Sequence, residues 1–232
     1  MTEPNSGLPF NIRDEYRDTP IDEIKQIVLA NSHPYDVMAL SIERCLNIGN
    51  MMRTVNLCGA RKFIIFGRRK YDSRGCVGAQ NYVNFERVDA IRGADKRNFE
   101  ALKVENDEDI IDERIFIDYI RDNNYLPIFI EQDKHSKPAT TENIKSIIRR
   151  ANSLGKMPVL ILGNESYGMP KNILDTRDKI ELSYTLELHQ MGSIRSFNVA
   201  NCCSILCYKF MEAFDSFNKE GLSNIRSRHL SK

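Results

Sequence analysis

The first segment whose residue types and spacing could do chemistry runs from Asn47 to Thr54. Asn47, Asn50 and Arg53 recur every three residues, so we expect them to share one face at the start of a helix. Gly49 would let the backbone approach another backbone or a ligand. Helix amides beside an arginine suit a phosphate group. The alternative interpretation is an N-cap followed by a surface arginine.

Two later segments also place polar groups beside predicted elements. A buried strand ending at Leu162 runs into a turn that carries Glu165, and ligands of open α/β folds lie at the carboxyl ends of strands. The alternative is a plain connection, with Pro170 opening the next helix. Ser196 and Asn198 precede a predicted C-terminal helix, where they either cap it or direct a hydroxyl and an amide into a site.

The common nucleotide-binding and nucleophile motifs are missing from the sequence. The twelve glycines form no Gly-x-Gly pair, and neither a P-loop nor a Gly-x-Ser-x-Gly motif occurs. The six cysteines include no Cys-x-x-Cys pair, and the four histidines are far apart. We therefore expect reduced thiols, no metal centre, and a cofactor site of another kind.

The elements that must position these residues alternate between strands and helices. Helices are predicted over residues 20–30, opened by Thr19-Pro20, and over 47–58, 112–123, 140–153 and 197–214. Apolar, β-rich runs predict strands over residues 35–42, 62–66, 87–91, 126–131 and 159–162. This alternation indicates an α/β domain with a mostly parallel sheet flanked by helices.

Length and composition are those of an ordinary globular protein. The 232 residues predict one large domain or at most two small ones. Hydrophobic residues at 41% and charged residues at 28% exclude a disordered or collagenous chain. The longest apolar run is six residues, too short to span a membrane, and the N-terminus shows no secretory signal. We expect a cytoplasmic protein with no membrane attachment.

The net charge is +1, from 33 basic and 32 acidic residues, so a site for a polyanion must be a local patch. One basic stretch, residues 61–74, carries six cations and a single acid, a local charge of +5 that suits a phosphate backbone. A solvated basic surface is the alternative. The acidic run at residues 105–109 is expected to be a solvated loop or a helix start.

Three motifs in order resemble those of the SpoU (TrmH) family of RNA ribose 2′-O-methyltransferases. They are Asn-x-Gly-Asn-x-x-Arg-Thr from Asn47, Leu-Gly-Asn-Glu-x-x-Gly from Leu162, and Gly-x-x-x-Ser-x-Asn-Val from Gly192. The resemblance covers about residues 35–215, includes Gly78-Ala79-Gln80, and in the third motif is nearest to eukaryotic-type enzymes acting on tRNA. The chain departs from the family at residues 188–190, where Leu-His-Gln replaces Ile-Pro-Met, and at Phe197, where leucine is usual.

The resemblance implies the SPOUT methyltransferase fold, an α/β domain with a mostly parallel sheet and a C-terminal trefoil knot. It implies S-adenosyl-L-methionine as cofactor, RNA (tRNA or rRNA) as substrate, and a homodimer, because relatives build the site across two subunits. We expect residues 1–18 to be a mobile arm, 19–216 the methyltransferase domain, and 217–232 a polar basic tail.

The resemblance also assigns roles to residues. The positions matching the catalytic motifs are Arg53, Asn47, Glu165, Ser196 and Asn198. Those expected on the cofactor wall are Leu162, Gly163, Gly168, Leu188, Met191 and Phe197. Those expected to bind RNA are Arg61, Arg68, Arg69, Lys70 and Arg74. Two other functions stay open: a catalytically idle knotted RNA-binding protein, and a SPOUT methyltransferase that modifies a base.

Overall fold

A computed structural model describes residues 12–42, 44–67, 73–91 and 111–219. Its strands form one seven-stranded sheet in the order β3-β2-β1-β6-β4-β7-β5, and every paired strand is parallel to its neighbour. The strands are β1 (His33–Leu40), β2 (Ala60–Gly67), β3 (Phe85–Asp89), β4 (Tyr125–Ile130), β5 (Lys137–Pro138), β6 (Met157–Leu162) and β7 (Tyr184–Glu187). The predicted α/β class with a mostly parallel sheet is confirmed.

Helices cover both faces of the sheet. Within the described ranges they are α1 (Ile21–Ala30), α2 (Cys45–Leu57), α3 (Glu113–Asp122), α4 (Thr141–Ser153), α5 (Lys171–Leu174) and α6 (Val199–Lys219). One buried apolar cluster joins the sheet to α2, α4 and α6, and a second joins it to α3 and α5. The central strands β1, β4 and β6 are buried along their whole length, as expected for a parallel sheet covered on both sides.

Two predicted helix starts are explained by side-chain caps. The Asp112 carboxylate accepts hydrogen bonds from the backbone N–H groups of Arg114 and Ile115 at 2.9 and 3.4 Å, so α3 begins where the acidic sequence predicts. The Thr140 hydroxyl accepts one from the Asn143 N–H at 3.2 Å and caps α4. The acidic run at residues 105–109 lies outside the described residues.

Several predicted boundaries were wrong. Pro20 occupies the N-cap of α1, a position predicted for Thr19, and β1 spans residues 33–40, not 35–42. The short strands β5 and β7 were not predicted at all, whereas α5 begins directly after Pro170, as the alternative interpretation of that turn expected. α6 extends to Lys219, beyond the end predicted at 214 and into the expected tail.

The termini are described only in part. Of the expected N-terminal arm, residues 12–18 are described and contain a short 3-10 helix at Asp14–Tyr16. Residues 1–11 and 220–232 lie outside the described ranges. Among the helices that are described, none is long and apolar enough to cross a membrane.

Candidate active site

A cavity of about 600 Å³ opens at the carboxyl edge of the sheet. Residues that directly follow β4, β6 and β7 line it, together with the segment that leads into α6. These strands lie on one side of β1, whereas β2 and β3 lie on the other. The cavity therefore sits where the strand order switches sides, the usual ligand position in open α/β sheets.

The turn after β6 forms one wall of the cavity. The backbones of Asn164 and Gly168 bond to each other at 2.8 and 3.0 Å, and the Asn164 side chain donates to the Ser41 carbonyl at 2.7 Å. A Cβ atom on Gly163 would lie only 2.4 Å from the Gly168 carbonyl carbon, and Gly168 itself has φ of +75°. Both glycines are required for a turn this tight.

The three motifs meet through side-chain hydrogen bonds. Asn47 Nδ2 donates to Glu165 Oε1 at 2.8 Å, and Asn198 Nδ2 donates to Asn47 Oδ1 at 3.2 Å. The Arg44 backbone N–H also donates to Glu165 Oε1, at 3.1 Å. We call the set Glu165, Asn47 and Asn198 the polar relay. It links the start of α2, the turn after β6 and the start of α6, three segments far apart in sequence.

Asn198 and Ser196 take different positions beside α6. The Asn198 side-chain oxygen accepts from the backbone N–H groups of Ala200 and Asn201 at 2.9 and 3.3 Å, so it caps the helix while its amide joins the relay. The two interpretations of this residue are thus both realised. Ser196 lines the cavity and is exposed.

The prediction that Asn47, Asn50 and Arg53 share one face was wrong. Asn47 is only 7% exposed, whereas Asn50 and Arg53 are exposed. Each three-residue step falls short of a full helical turn, so six residues place Arg53 about 120° around α2 from Asn47. Arg53 is the ninth residue of α2 rather than part of its first turn, and it is not among the residues lining the cavity.

Gly49 has a structural explanation. A Cβ atom there would lie 1.8 Å from the Gly75 carbonyl oxygen, and one on Gly75 would lie 2.4 Å from the Cys45 carbonyl oxygen. The two glycines let α2 pack backbone to backbone against residues 73–76. Of the two approaches expected for Gly49, the structure shows the one to another backbone.

Most residues expected on the cofactor wall do line the cavity. Leu162, Gly163, Gly168, Leu188 and Phe197 are among its lining residues. Met191 is different: it is 89% exposed and does not line the cavity, and its sulfur lies 3.2 Å from a ring nitrogen of His189.

Sequence reasoning missed Glu131, which directly follows β4 and also lines the cavity. Its Oε2 accepts a hydrogen bond from the Met169 N–H at 3.1 Å, and its Oε1 accepts one from the Gln132 N–H at 2.9 Å. The signal was available, because a carboxylate at the carboxyl end of a buried parallel strand is placed by the same rule that selected Glu165.

Cys202, the second missed residue, brings a thiol to the same cavity. Burial, followed by the neighbouring Cys207 and Glu131, raises the pKa of this thiol to about 12. It therefore stays protonated at neutral pH and behaves as a small apolar wall group.

The structure gives Arg61 a different role from RNA binding. Its guanidinium forms a two-point contact with both carboxylate oxygens of Asp36, which is fully buried in β1 and also accepts from the Tyr125 hydroxyl. The adjacent Lys62 pairs with Glu86 at 3.0 Å. Two of the six cations counted in the basic stretch are thus neutralised locally, leaving Arg68, Arg69, Lys70 and Arg74 against Asp72, a charge of +3.

The remaining cations of the basic stretch cannot be placed. Arg68, Arg69 and Lys70 lie outside the described residues, and so does the side chain of Arg74. Among the side chains that are described, no group of three His, Cys, Asp or Glu residues could hold a metal ion.

Comparisons with known proteins found one matching family model and several similar solved structures. The model of the SpoU rRNA Methylase family matches residues 35–208. The TrmH/SpoU tRNA modifying enzyme from A. aeolicus has 15% identity and a TM-score of 0.59, over 89% of this chain and 87% of that chain. No curated protein matches the sequence.

Two further solved structures contain AdoMet. The rRNA methyltransferase from Sinorhizobium meliloti has 19% identity and a TM-score of 0.54, over 79% of this chain and 59% of that one. The SpoU methyltransferase AviRb from Streptomyces viridochromogenes has 18% identity and a TM-score of 0.52, over 79% of this chain and 62% of that chain. The chain thus spans less than two thirds of the length of these two proteins. At such identities the likeness establishes a shared fold.

Proposed function

The chain belongs to the SpoU rRNA Methylase family, and on this premise we propose that it uses S-adenosyl-L-methionine to methylate a ribose 2′-hydroxyl in structured RNA, either tRNA or rRNA. The observation that carries the proposal is the polar relay. Three motifs that are distant in sequence converge, through Asn47, on the mouth of one cavity. A plain strand-to-helix connection would not need a buried asparagine bonded to a carboxylate on one side and an amide on the other.

The residues around the cavity suit the cofactor. A volume of about 600 Å³ falls within the range of small-molecule sites. The wall combines apolar side chains, including Leu162, Leu188 and Phe197, with partly exposed backbone at Gly163 and Gly168. Such a wall can hold a nucleoside by apolar contact and backbone hydrogen bonds. When bound there, the cofactor supplies a methyl group activated by a positively charged sulfur.

We also propose that the chain between β6 and α6 forms the trefoil knot typical of SPOUT enzymes, an exception to the usual absence of threaded chains. Its loops would be residues 163–168 and 188–198, each of which contributes residues to the lining of the same cavity. The unit that carries out the reaction would be residues 19–216 together with the last turn of α6.

Within the polar relay, the work of the side chains is positioning. Asn47 uses its amide nitrogen on Glu165 and its oxygen on Asn198, so all three groups are held in one arrangement. Holding reacting groups in line is worth several orders of magnitude in rate. We assign Ser196, exposed at the cavity, to contact with the ribose.

Arg53 would act on the RNA itself. A neutral guanidinium is costly because its pKa exceeds about 12. We therefore favour Arg53 as a clamp that binds an RNA phosphate and stabilises the negative charge developing on the ribose oxygen. Removal of the hydroxyl proton by Arg53 is the alternative role.

The position of Arg53 supports a homodimer. Leu46, Asn50, Arg53 and Leu57 fall within one narrow stripe along α2, and the two leucines are 71% and 75% exposed. Two leucines exposed to this extent on one face of a helix suit an interaction site. We propose that a second copy of the chain covers this stripe and that Arg53 then reaches the partner's cavity.

Mixed dimers test this arrangement. One subunit would carry Arg53→Ala with an intact cavity, and the other would carry Gly163→Ala with an intact Arg53. If Arg53 acts across the interface, the mixed dimer regains one of its two sites and about half of wild-type activity, although each variant alone is strongly impaired when S-adenosylmethionine is limiting. No recovery would place Arg53 and its cavity in the same subunit.

The function itself is tested by incubating the purified protein with total RNA and methyl-labelled S-adenosylmethionine. Digestion to nucleosides and mass spectrometry should then show label only in 2′-O-methylribose. Label in a base would select the base-modifying alternative. RNA binding without transfer of label to any RNA would select the catalytically idle alternative. Mapping the labelled site would separate tRNA from rRNA.

A further inference from the structure

Glu131 is a carboxylate of the cavity that contacts the turn after β6 from β4, the neighbouring strand of the sheet. It follows β4 directly, and its Oε2 accepts from the Met169 N–H at 3.1 Å. A Cβ atom on Gly168 would lie 3.2 Å from the same oxygen. The carboxylate therefore lies against the turn that forms the cavity wall.

The negative charge of Glu131 is not neutralised by an ion pair within the residues that the structure describes. Its hydrogen bonds come from two uncharged backbone N–H groups, those of Gln132 and Met169. Asp133, only two residues further on, is by contrast paired with Arg177 at 2.6 Å. A carboxylate has about four acceptor positions. Two remain on Glu131 for a ligand.

Other charged residues also line the cavity, among them a third carboxylate, Glu187, at the end of β7. Glu165 Oε1 accepts from Asn47 and from the Arg44 N–H on the side of α2, and the guanidinium-bearing residues Arg44 and Arg195 also line the cavity. The negative charge of Glu131 also affects a thiol in the cavity wall. After burial and Cys207, it is the third cause of the raised pKa of Cys202. Its field thus reaches a neighbouring group of the same wall.

We infer that Glu131 determines the specificity of the cavity, favouring a cationic sulfonium cofactor over its uncharged thioether product. The inference rests on the proposed function. S-adenosylmethionine carries a sulfonium and an ammonium against one carboxylate, a net charge of +1. When the methyl carbon bonds to the ribose oxygen, the bond from that carbon to sulfur breaks, its electron pair stays on sulfur, and the hydroxyl proton passes to solvent water. The product, S-adenosylhomocysteine, is then a net-neutral zwitterion, and the attraction of Glu131 for the sulfur ends.

Calorimetric titration of the full-length protein with three ligands tests the inference. S-adenosylmethionine and sinefungin, which carries an ammonium group near the position of the sulfonium, are the cationic probes, and S-adenosylhomocysteine is the neutral one. Glu131→Gln keeps an oxygen for the Met169 N–H but removes the charge. We expect this substitution to weaken the binding of both cationic probes about tenfold, the size of one partly screened charge interaction. The affinity for the neutral probe should stay unchanged.

Two variants serve as controls. Glu131→Asp keeps the charge and should keep the preference for the cationic probes. Its shorter side chain can lower the affinity for all three ligands without removing that preference. Glu212→Gln removes the same charge from an exposed position on α6 that does not line the cavity, and it should change nothing. Thermal unfolding of each variant reports on folding separately.

The outcomes are distinguishable. An equal loss of affinity for all three ligands in Glu131→Gln would mean that the carboxylate only supports the turn. Unchanged affinities for all three would mean that the carboxylate does not act on the ligand. Either result overturns the inference while wild-type binding of S-adenosylmethionine still supports the proposed function. If the wild-type protein binds none of the three, the proposed function and the inference fail together.

Discussion

Asn47 Nδ2 and Glu165 Oε1 lie 2.8 Å apart although 118 residues separate them in the chain. The bond joins the start of α2 to the turn after β6. Asn47 is only 7% exposed, so its own amide depends on these two partners rather than on water. The relationship makes Asn47 the central member of the polar relay and the position where the relay is most sensitive to substitution.

Asn47→Ala should destabilise the protein by about 1–3 kcal/mol, because Glu165 and Asn198 each lose a partner in a partly buried place. Asn47→Asp should cost more, since it sets a carboxylate against the Glu165 carboxylate. Urea unfolding measures both. Asn201→Ala, exposed on α6 and outside the cavity lining, is the matched control and should stay within about 0.5 kcal/mol of wild type. Equal stability of the Asn47→Ala and Asn201→Ala variants would show that the relay is not structurally important.

Gly163→Ala should displace the turn after β6, because the added methyl would lie 2.4 Å from the Gly168 carbonyl carbon. Backbone atoms cannot yield as a flexible side chain does, so we expect a cost of about 1–3 kcal/mol and at least tenfold weaker binding of S-adenosylmethionine by calorimetry. Gly192→Ala is the control, since nothing lies within 4 Å of its Cβ position. Retention of wild-type affinity by Gly163→Ala would separate this turn from cofactor binding.

The sequence was sufficient to predict two of the segments that form the candidate site, the turn after β6 and the start of α6, but not the segment after β4. Glu165 could be placed because a long apolar strand precedes it and the carboxyl edge of a parallel sheet is shared by all strands. Asn198 could be given two roles because an asparagine that caps a helix with its side-chain oxygen can still donate a hydrogen bond from its amide nitrogen. Both predictions depend on patterns within a short stretch of sequence, which can be recognised without knowing the contacts across the fold.

What the sequence could not show depends on contacts across the fold. Asp36 lies inside an otherwise apolar strand, and nothing nearby in sequence indicates that Arg61, from the neighbouring strand, pairs with it. The strand β7 has only four residues, too few for an alternating pattern to be distinguished from a loop. The orientation of Arg53 was misjudged because an error of about 60° accumulates with each three-residue step.

Arg53→Ala should leave cofactor affinity unchanged, because Arg53 does not line the cavity of its own chain. Methyl transfer should fall by at least ~10²-fold, the loss expected for one electrostatic stabiliser of the transition state. Single-turnover transfer of labelled methyl to RNA measures the rate. Arg114→Ala, an exposed arginine on α3, controls for the general loss of a surface cation. Wild-type turnover in Arg53→Ala would remove Arg53 from the mechanism.

Within the basic stretch, the central cations should affect RNA binding, whereas Arg61 should affect the stability of the fold. Replacing Arg68, Arg69 and Lys70 with alanine should weaken RNA binding and reduce the log–log salt slope by roughly 0.7–0.9 for each phosphate that the protein no longer neutralises. Arg61→Ala should leave that slope unchanged but cost about 3–5 kcal/mol, because it strands the buried Asp36 carboxylate. Filter binding across salt concentrations and urea unfolding distinguish the two. An unchanged slope in the triple variant would return those cations to a solvated surface.

Phe197 lines the cavity together with Gly163 and Leu188, at the position where the family usually has leucine. Phe197→Leu should therefore be tolerated, with cofactor affinity close to that of wild type, because both side chains present an apolar surface to the ligand. Phe197→Asp should abolish binding, since a carboxylate without a partner would be desolvated against the bound cofactor. The side chain is 42% exposed in the free protein, so neither change should unfold the chain, and thermal unfolding verifies this. Calorimetry then decides: wild-type affinity in Phe197→Asp would mean that the cofactor occupies a different part of the cavity, and the assignment of Leu188 would fall with that of Phe197.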